Sequence, residues 1–148
     1  MATLDGVALF GPIAADARRA LADRGRIRDF APGQALMRQG EASETMHVIL
    51  SGRVGVERAG AQGAEPLFLA ELGANEVVGE VGIFDGGPRT ATVTAIDPTR
   101  TLELHRTALA VVLSQYPQVA AELLRTLSAR LRNADELAEE LSRRGPSG

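Results

Sequence analysis

The chain of 148 residues lacks cysteine, a long apolar run and an excess of basic side chains. Without cysteine, neither a disulfide framework nor a thiolate metal site can form. No apolar run approaches the roughly 18 residues that span a bilayer, and the amino end lacks a basic-then-apolar signal pattern, so we expect a cytoplasmic protein with no membrane partner. The sixteen basic residues, all arginine, are scattered and outnumbered by nineteen acidic ones, which argues against a nucleic-acid partner.

The length and the composition favour one globular domain over residues 1–148. Hydrophobic residues make up 45% of the chain and charged residues 24%, which is enough for a core but leaves little room for a second domain. Sixteen glycines and seven prolines punctuate the chain, and its middle consists of short β-prone runs between alanine- and leucine-rich ends. We therefore expect the order helix, β-rich body, helix.

Apolar spacing divides the chain at two points. Residues 4–24 have a helical spacing, and from residue 26 strands recur about every 8 to 12 residues as far as residue 105. Roughly eight short strands without a long helix between them favour a sandwich, a jelly roll or a small barrel over a parallel sheet. Two helices are expected over residues 106–141, with a break at Tyr116-Pro117, and residues 142–148 form a frayed tail.

The second of these helices carries apolar residues at alternating three- and four-residue steps. This spacing is typical of a coiled-coil seam, so the helix can form a homodimer interface. The alternative is that the same face packs on the β-rich body of its own chain. The residues predicted for the seam are Leu124, Leu127, Leu131 and Leu141.

Residues 78–93 form the most informative stretch, because four glycines and a proline lie between two β-prone runs. The pattern predicts a strand end, a tight turn and a second strand, with Pro88 fixing the entry to Arg89. Glu80 and Arg89 then face a pocket of backbone N–H groups suited to a small anion. From these residues alone, a structural ion pair between Glu80 and Arg89 across a hairpin is the alternative.

The run Gly79-Glu80-Val81-Gly82, followed after five residues by Pro88-Arg89-Thr90-Ala91, closely resembles the phosphate-binding cassette of cyclic nucleotide-binding domains, as in catabolite activator protein-like sensors. Gln39-Gly40-Glu41 and Ser51-Gly52-Arg53-Val54 are similar to other recurring segments of that family. Glycines 33, 40, 52, 73 and 79 fall at its strand turns. The likeness spans about residues 10–135. It implies an eight-stranded antiparallel β-roll over about residues 26–105 with helices on both sides.

The resemblance also implies roles for the cassette. Arg89 takes a phosphate oxygen and Glu80 accepts a hydrogen bond from the ribose 2′-hydroxyl. The turn after Gly79, a short helix in this family, aims backbone N–H groups at the ligand. Thr90 favours cyclic GMP weakly, because its hydroxyl can bond the guanine amino group, but it does not exclude cyclic AMP. The implied ligand-binding residues are Gly79, Glu80, Val81, Gly82, Arg89, Thr90 and Ala91.

The base side of the pocket follows from the same resemblance. It places Val56, Leu69 and Leu72 beside the purine and lays the carboxyl-terminal helix over it as a lid, with Arg130 and Ala134 in that segment. The alternative for the three aliphatic residues is ordinary barrel core. No cofactor is implied apart from the cyclic nucleotide as ligand.

No catalytic residues are predicted, because nothing in the chain pairs a nucleophile with a base or an acid with a base. His47 and His105 have no carboxylate or cysteine at ligand spacing, so we expect no metal site. We expect instead a regulatory sensor acting on an unknown protein effector, with closure of the cassette and rearrangement of the C-terminal helices as its signal. The alternatives are a dimerising module of the same fold with another ligand or none, and a sensor fragment of a transcription regulator.

Overall fold

The structure is a computed structural model that describes residues 4–11, 13–60, 64–122 and 124–125. Several predicted functional residues lie outside these ranges. They are Leu127, Leu131 and Leu141 of the proposed seam, and Arg130 and Ala134 of the proposed lid.

Eight strands form two four-stranded sheets, and every recorded pairing between them is antiparallel. The strand order is β1-β8-β3-β6 in the first sheet and β2-β7-β4-β5 in the second. This arrangement confirms the predicted antiparallel jelly roll with flanking helices. The strands are β1 Arg26–Phe30, β2 Ala35–Met37, β3 Thr45–Ser51, β4 Val54–Arg58, β5 Leu67–Leu72, β6 Val77–Val78, β7 Thr92–Ala95 and β8 Thr99–His105.

Helices flank the β-roll as expected. A 3-10 turn at Ala8–Phe10 and helix α1, Ala15–Asp23, precede it, and helix α3, Arg106–Gln115, follows it. Tyr116 then leaves the helical conformation, with φ −130° and ψ 72°, because proline disfavours a helical residue before it. Residues 117–122 are helical again, so the break predicted at Tyr116-Pro117 is present.

The local pattern was wrong about the structure between β6 and β7. A strand was expected to reach Glu80 and the next to begin at Thr90, whereas β6 ends at Val78 and helix α2 spans Glu80–Asp85. Gly79 has φ 84°, a left-handed conformation that ends the strand and starts the helix. Gly86 has φ 76° and ends the helix in the same manner. The short helix that the family resemblance implied is therefore present.

Two apolar clusters hold the fold. The first packs α1, α3 and the N-terminal residues against the first sheet, through side chains such as Phe10, Leu21 and Leu104. The second lies between the two sheets and consists of Met37, Ile49, Val54, Val78 and Val93. Three members of this second cluster, Met37, Val78 and Val93, also line the cavity described below, so the floor of that cavity is continuous with the core.

His47 on β3 is the one histidine enclosed by the fold in the described residues. Its side chain lies in the first sheet with only 1% of the residue exposed, and its Nδ1 atom is 2.9 Å from Thr101 Oγ1. Burial, together with the smaller effects of the positive charges of Arg89 and Arg28, lowers the pKa of His47 to about 4. The imidazole is therefore neutral at pH 7 and serves as a buried polar group of the sheet.

We expect His47 to make stability fall with acidification. The unfolded chain takes up a proton near pH 6.5, whereas folded His47 resists protonation until about pH 4, so the unfolded state binds more protons in this window. The free energy of unfolding should therefore drop by about 2–3 kcal/mol as the pH falls through this window. Chemical denaturation at a series of pH values measures the drop.

His47→Asn is the matched variant, because an asparagine amide can replace Nδ1 toward Thr101 but does not titrate. Its unfolding free energy should have a shallower pH dependence between about pH 4 and 6.5 than that of the native chain. Equal slopes for the two proteins would show that His47 does not carry the effect.

Candidate functional site

A cavity of about 200 Å³ opens between α2, the loop of residues 38–44 that joins β2 to β3, and the second sheet. Nine of the residues predicted for the ligand site line it together, from segments far apart in the sequence. They are Val56, Leu72, Gly79, Glu80, Val81, Gly82, Arg89, Thr90 and Ala91. The wall is thus apolar on the side of the second sheet and polar on the side of the cassette.

Gly79 has to be glycine for two separate reasons. Its φ of 84° is left-handed, and a Cβ built there would be 2.6 Å from Arg89 Nη1 and 2.9 Å from Met37 Cε. The left-handed φ allows α2 to begin immediately after β6. The missing side chain allows the guanidinium of Arg89 to lie directly against the backbone at the start of that helix.

Gly82, in the first turn of α2, is glycine because of close packing. A Cβ there would be 2.0 Å from Ser43 Oγ and 2.6 Å from Ser43 Cβ. The helix therefore presses against the loop of residues 38–44 with only backbone at the contact point. This contact holds α2 against the loop at the wall of the cavity.

The guanidinium of Arg89 is held inside the wall of the cavity. The residue is 7% exposed, and its side chain donates to Gly79 O at 3.2 Å, Thr45 O at 2.6 Å and Thr45 Oγ1 at 3.1 Å. A guanidinium carries five N–H donors, so these three contacts do not exhaust it. Burial lowers the pKa of Arg89 and the charge of Glu41 partly offsets this, but arginine stays protonated at neutral pH.

The backbone of Arg89 ties the same loop to the cassette. Its N–H donates to Glu41 O at 2.8 Å, and its carbonyl accepts from the Gly40 N–H at 2.9 Å. Gly40 and Glu41 belong to the segment Gln39-Gly40-Glu41, which resembles a recurring family segment. Their backbone groups hydrogen-bond to the backbone of Arg89, the residue that carries the guanidinium.

The three aliphatic residues predicted for the base wall do not all lie at the cavity. Val56 and Leu72 line the cavity, whereas Leu69 lies outside it and is 41% exposed. Leu69 and Leu72 are three positions apart on β5, so the two-residue period of a strand puts their side chains on opposite faces. The placement of Leu69 beside a purine stays a prediction.

Sequence reasoning did not single out Ser43 and Thr45, which lie at the end of the loop of residues 38–44 and at the start of β3. Thr45 holds the Arg89 guanidinium, and Ser43 packs against Gly82 in the cavity wall. Both are ordinary polar residues, and nothing in the sequence distinguishes them. Their significance comes from contacts with residues about 40 positions away, which only the fold provides.

The remaining predicted residues have other surroundings. His105 caps α3, since its Nδ1 accepts from the Thr107 N–H at 3.1 Å. Leu124 of the predicted seam is 61% exposed. Within the described parts of the chain there is no group of three or more potential metal ligands, and no helix there is long and apolar enough to cross a membrane.

Comparison with known proteins identifies this arrangement. Residues 27–116 match the family described as the cyclic nucleotide-binding domain. The chain belongs to this family. The match covers the β-roll and reaches the end of α3, so the cassette lies within it.

Two solved structures resemble this cyclic nucleotide-binding domain. The catabolite activator protein of Thermus thermophilus superimposes with a TM-score of 0.80 at 30% identity, covering 90% of this chain and 62% of that one. The N-terminal domain of a transcriptional regulator from Streptomyces coelicolor A3(2) has a TM-score of 0.76 at 31% identity, covering 86% of this chain and 91% of that one.

A curated relative is the CRP-like cAMP-activated global transcriptional regulator of Mycobacterium tuberculosis. It is 34% identical over 113 residues, which make up 76% of this chain and 50% of the relative. The chain thus spans about half the length of this relative. By their names these similar proteins are regulators.

We predict that Gly79→Ala disrupts the cassette of this cyclic nucleotide-binding domain more than an equally strained substitution elsewhere. A left-handed alanine costs about 1 kcal/mol, and displacing Arg89 and Met37 should cost about 1–3 kcal/mol more. Gly33→Ala is the matched control, because Gly33 has φ 87° with nothing within 4 Å of its Cβ position. Denaturant unfolding of the two variants measures the difference. Equal losses would show that the close approach to Arg89 carries no energy.

Proposed function

We propose that the chain binds a cyclic nucleotide, cyclic AMP or cyclic GMP, in this cavity and acts as a regulatory sensor. The observation that carries the proposal is a buried arginine in the wall of a cavity next to the first turn of a helix. The phosphodiester of a cyclic nucleotide carries one negative charge. Arg89 and the N–H groups at the start of α2 both favour an anion at this place.

The contacts of Arg89 support this role. Its three hydrogen bonds to Gly79 and Thr45 go to neutral oxygens, which orient a guanidinium without cancelling its charge. A cation taken out of water is costly unless an anion compensates it. The charge of Glu41 offsets the burial of Arg89 only in part. A bound phosphodiester would supply further compensation, and the preset orientation lowers the entropic cost of binding.

The rest of the lining matches the other parts of the ligand. Glu80 is the first residue of α2 and lines the cavity, where its carboxylate can accept a hydrogen bond from the ribose 2′-hydroxyl. Val56, Leu72 and Val93 supply an apolar surface for the purine. The predicted lid residues, Arg130 and Ala134, stay part of this proposal.

The structure offers a route for the proposed signal. Thr45 O accepts from the Arg89 side chain, and the neighbouring carbonyl of Glu44 accepts from the Arg106 N–H at 2.9 Å, where α3 begins. A ligand that binds the cavity more tightly in one position of α2 shifts the population toward that position. We propose that a change in the position of α2 is transmitted to α3 through Thr45 and Glu44.

A second copy of the chain is the partner we propose for the C-terminal helix, alongside a protein effector. The support is the leucine spacing and the exposure of Leu124, a large apolar side chain in the described part of that helix. Dimerisation without a nucleotide ligand is the alternative function. The ligand titrations below separate the two.

Arg89→Ala should weaken binding by tens- to thousands-fold, because it removes a charge-assisted contact of about 2–5 kcal/mol. Isothermal titration with cyclic AMP and with cyclic GMP measures this change. Arg89→Lys should recover part of the affinity, since it keeps the charge but loses the planar fork. Arg100→Ala is the control, because Arg100 is exposed and paired with Asp29 outside the cavity. Absence of heat with the native chain at millimolar ligand, or equal binding by Arg89→Ala, would refute the proposal.

Thr90 should set part of the base preference. We expect Thr90→Val, which keeps the shape but removes the hydroxyl, to weaken cyclic GMP binding about 3–10-fold more than cyclic AMP binding, because one hydrogen bond to the guanine amino group is lost. Competition titrations with both nucleotides measure the ratio. Thr90→Ser is the control and should keep the native ratio. An unchanged ratio in Thr90→Val would remove Thr90 from base selection.

A further inference from the structure

Ser43 presents a buried hydroxyl that the fold leaves without a partner. The residue is 9% exposed, its oxygen is covered, and Oγ is the one buried side-chain polar atom in the described part of the chain that has no hydrogen-bond partner. Burying a hydroxyl without a hydrogen bond costs stability, and native proteins keep few such groups. If only the stability of the fold mattered, an apolar side chain of similar size would be less destabilising at this position.

The position of Ser43 relates it to the ligand cavity. Ser43 lines the cavity and lies in the loop of residues 38–44, between the parts of the chain that hold Arg89. On one side Gly40 and Glu41 pair with the backbone of Arg89, and on the other Thr45 accepts from its guanidinium. The Ser43 hydroxyl therefore lies in the same cavity wall as the guanidinium of Arg89.

Ser43 also packs against the first turn of α2. Its Oγ lies against Gly82, where a Cβ would be only 2.0 Å away. Because Gly82 has no side chain, nothing separates this hydroxyl from the backbone of α2. To reach a ligand, the covered oxygen requires a rotation about χ1 of Ser43 or an outward shift of α2.

We propose that Ser43 Oγ donates a hydrogen bond to a phosphate oxygen of the bound cyclic nucleotide, and this inference rests on the proposed function. An anionic oxygen accepts hydrogen bonds well, and Ser43 lines the same cavity as the guanidinium of Arg89, which attracts an anion. The ligand then satisfies a donor that the protein alone leaves unsatisfied. Ser43 is thus a specificity residue for the phosphate, in addition to Arg89.

Ser43→Ala in the full chain tests the inference by moving two quantities in different directions. Affinity for the preferred cyclic nucleotide should fall about 5–30-fold in calorimetric titration, because one hydrogen bond to a charged group is lost. The thermal midpoint of the unliganded protein should stay equal or rise, because an unsatisfied hydroxyl is removed. Ser114→Ala is the control, since Ser114 is exposed on α3 and bonds Val111 O; it should leave affinity unchanged.

Phosphorothioate ligands identify the atom that accepts. In the Rp and Sp diastereomers, sulfur replaces one or the other exocyclic phosphate oxygen and is a weaker acceptor. The affinity loss caused by Ser43→Ala should shrink for one diastereomer and persist for the other. An equal loss for both diastereomers and the parent nucleotide would overturn the assignment to a phosphate oxygen.

The outcomes separate this inference from the proposed function. If the native chain binds and Arg89→Ala does not, but Ser43→Ala binds like the native chain, the Ser43 contact is wrong and the proposed function stands. A lower thermal midpoint of unliganded Ser43→Ala would identify a structural role and likewise overturn the inference. If the native chain binds no cyclic nucleotide, both proposals fail.

Discussion

The burial of one guanidinium organises the region around the cavity. Arg89 contacts the start of α2 through Gly79 O, the start of β3 through Thr45, and the loop of residues 38–44 through Gly40 and Glu41. Two separate stretches of the chain, residues 40–45 and the start of α2, therefore depend on the same residue. Because the charge is buried among neutral oxygens, the site is both a structural joint and a place that favours an anion.

Two glycines with a left-handed backbone conformation make this arrangement around Arg89 possible. Gly79 and Gly86 bound α2 with φ values of 84° and 76°, so a helix of six residues fits between β6 and β7. Such a short helix has little intrinsic stability, and its position depends on what packs against it. Gly82 against Ser43 and Gly79 against Arg89 are those contacts. A helix held by a few close contacts beside a cavity is suited to move when a ligand changes them.

The sequence allowed the antiparallel β-roll to be predicted, because apolar alternation and regularly placed turn glycines are local signals. It did not give α2 directly, since six residues between glycines carry no helical period, and only the family resemblance implied it. Leu69 and Leu72 lie three positions apart on β5, so the two-residue period of a strand puts them on opposite faces, and only Leu72 lines the cavity. Ser43 and Thr45 were missed because their roles depend on long-range contacts alone.

The coupling that we propose between the cavity and α3 would depend on the backbone more than on exposed charges. The Glu44 carboxylate lies 3.5 Å from His105 Nε2 and 4.0 Å from Arg106 Nη2, but all three side chains are about half exposed, and exposed pairs contribute little. The Glu44 carbonyl, in contrast, accepts from the Arg106 N–H at 2.9 Å and is one residue from the Thr45 carbonyl that holds Arg89. The two carbonyls belong to neighbouring peptide units joined at the Cα of Thr45, where β3 begins its pairing with β8, so we propose that this short backbone connection carries a displacement of Arg89 to the start of α3.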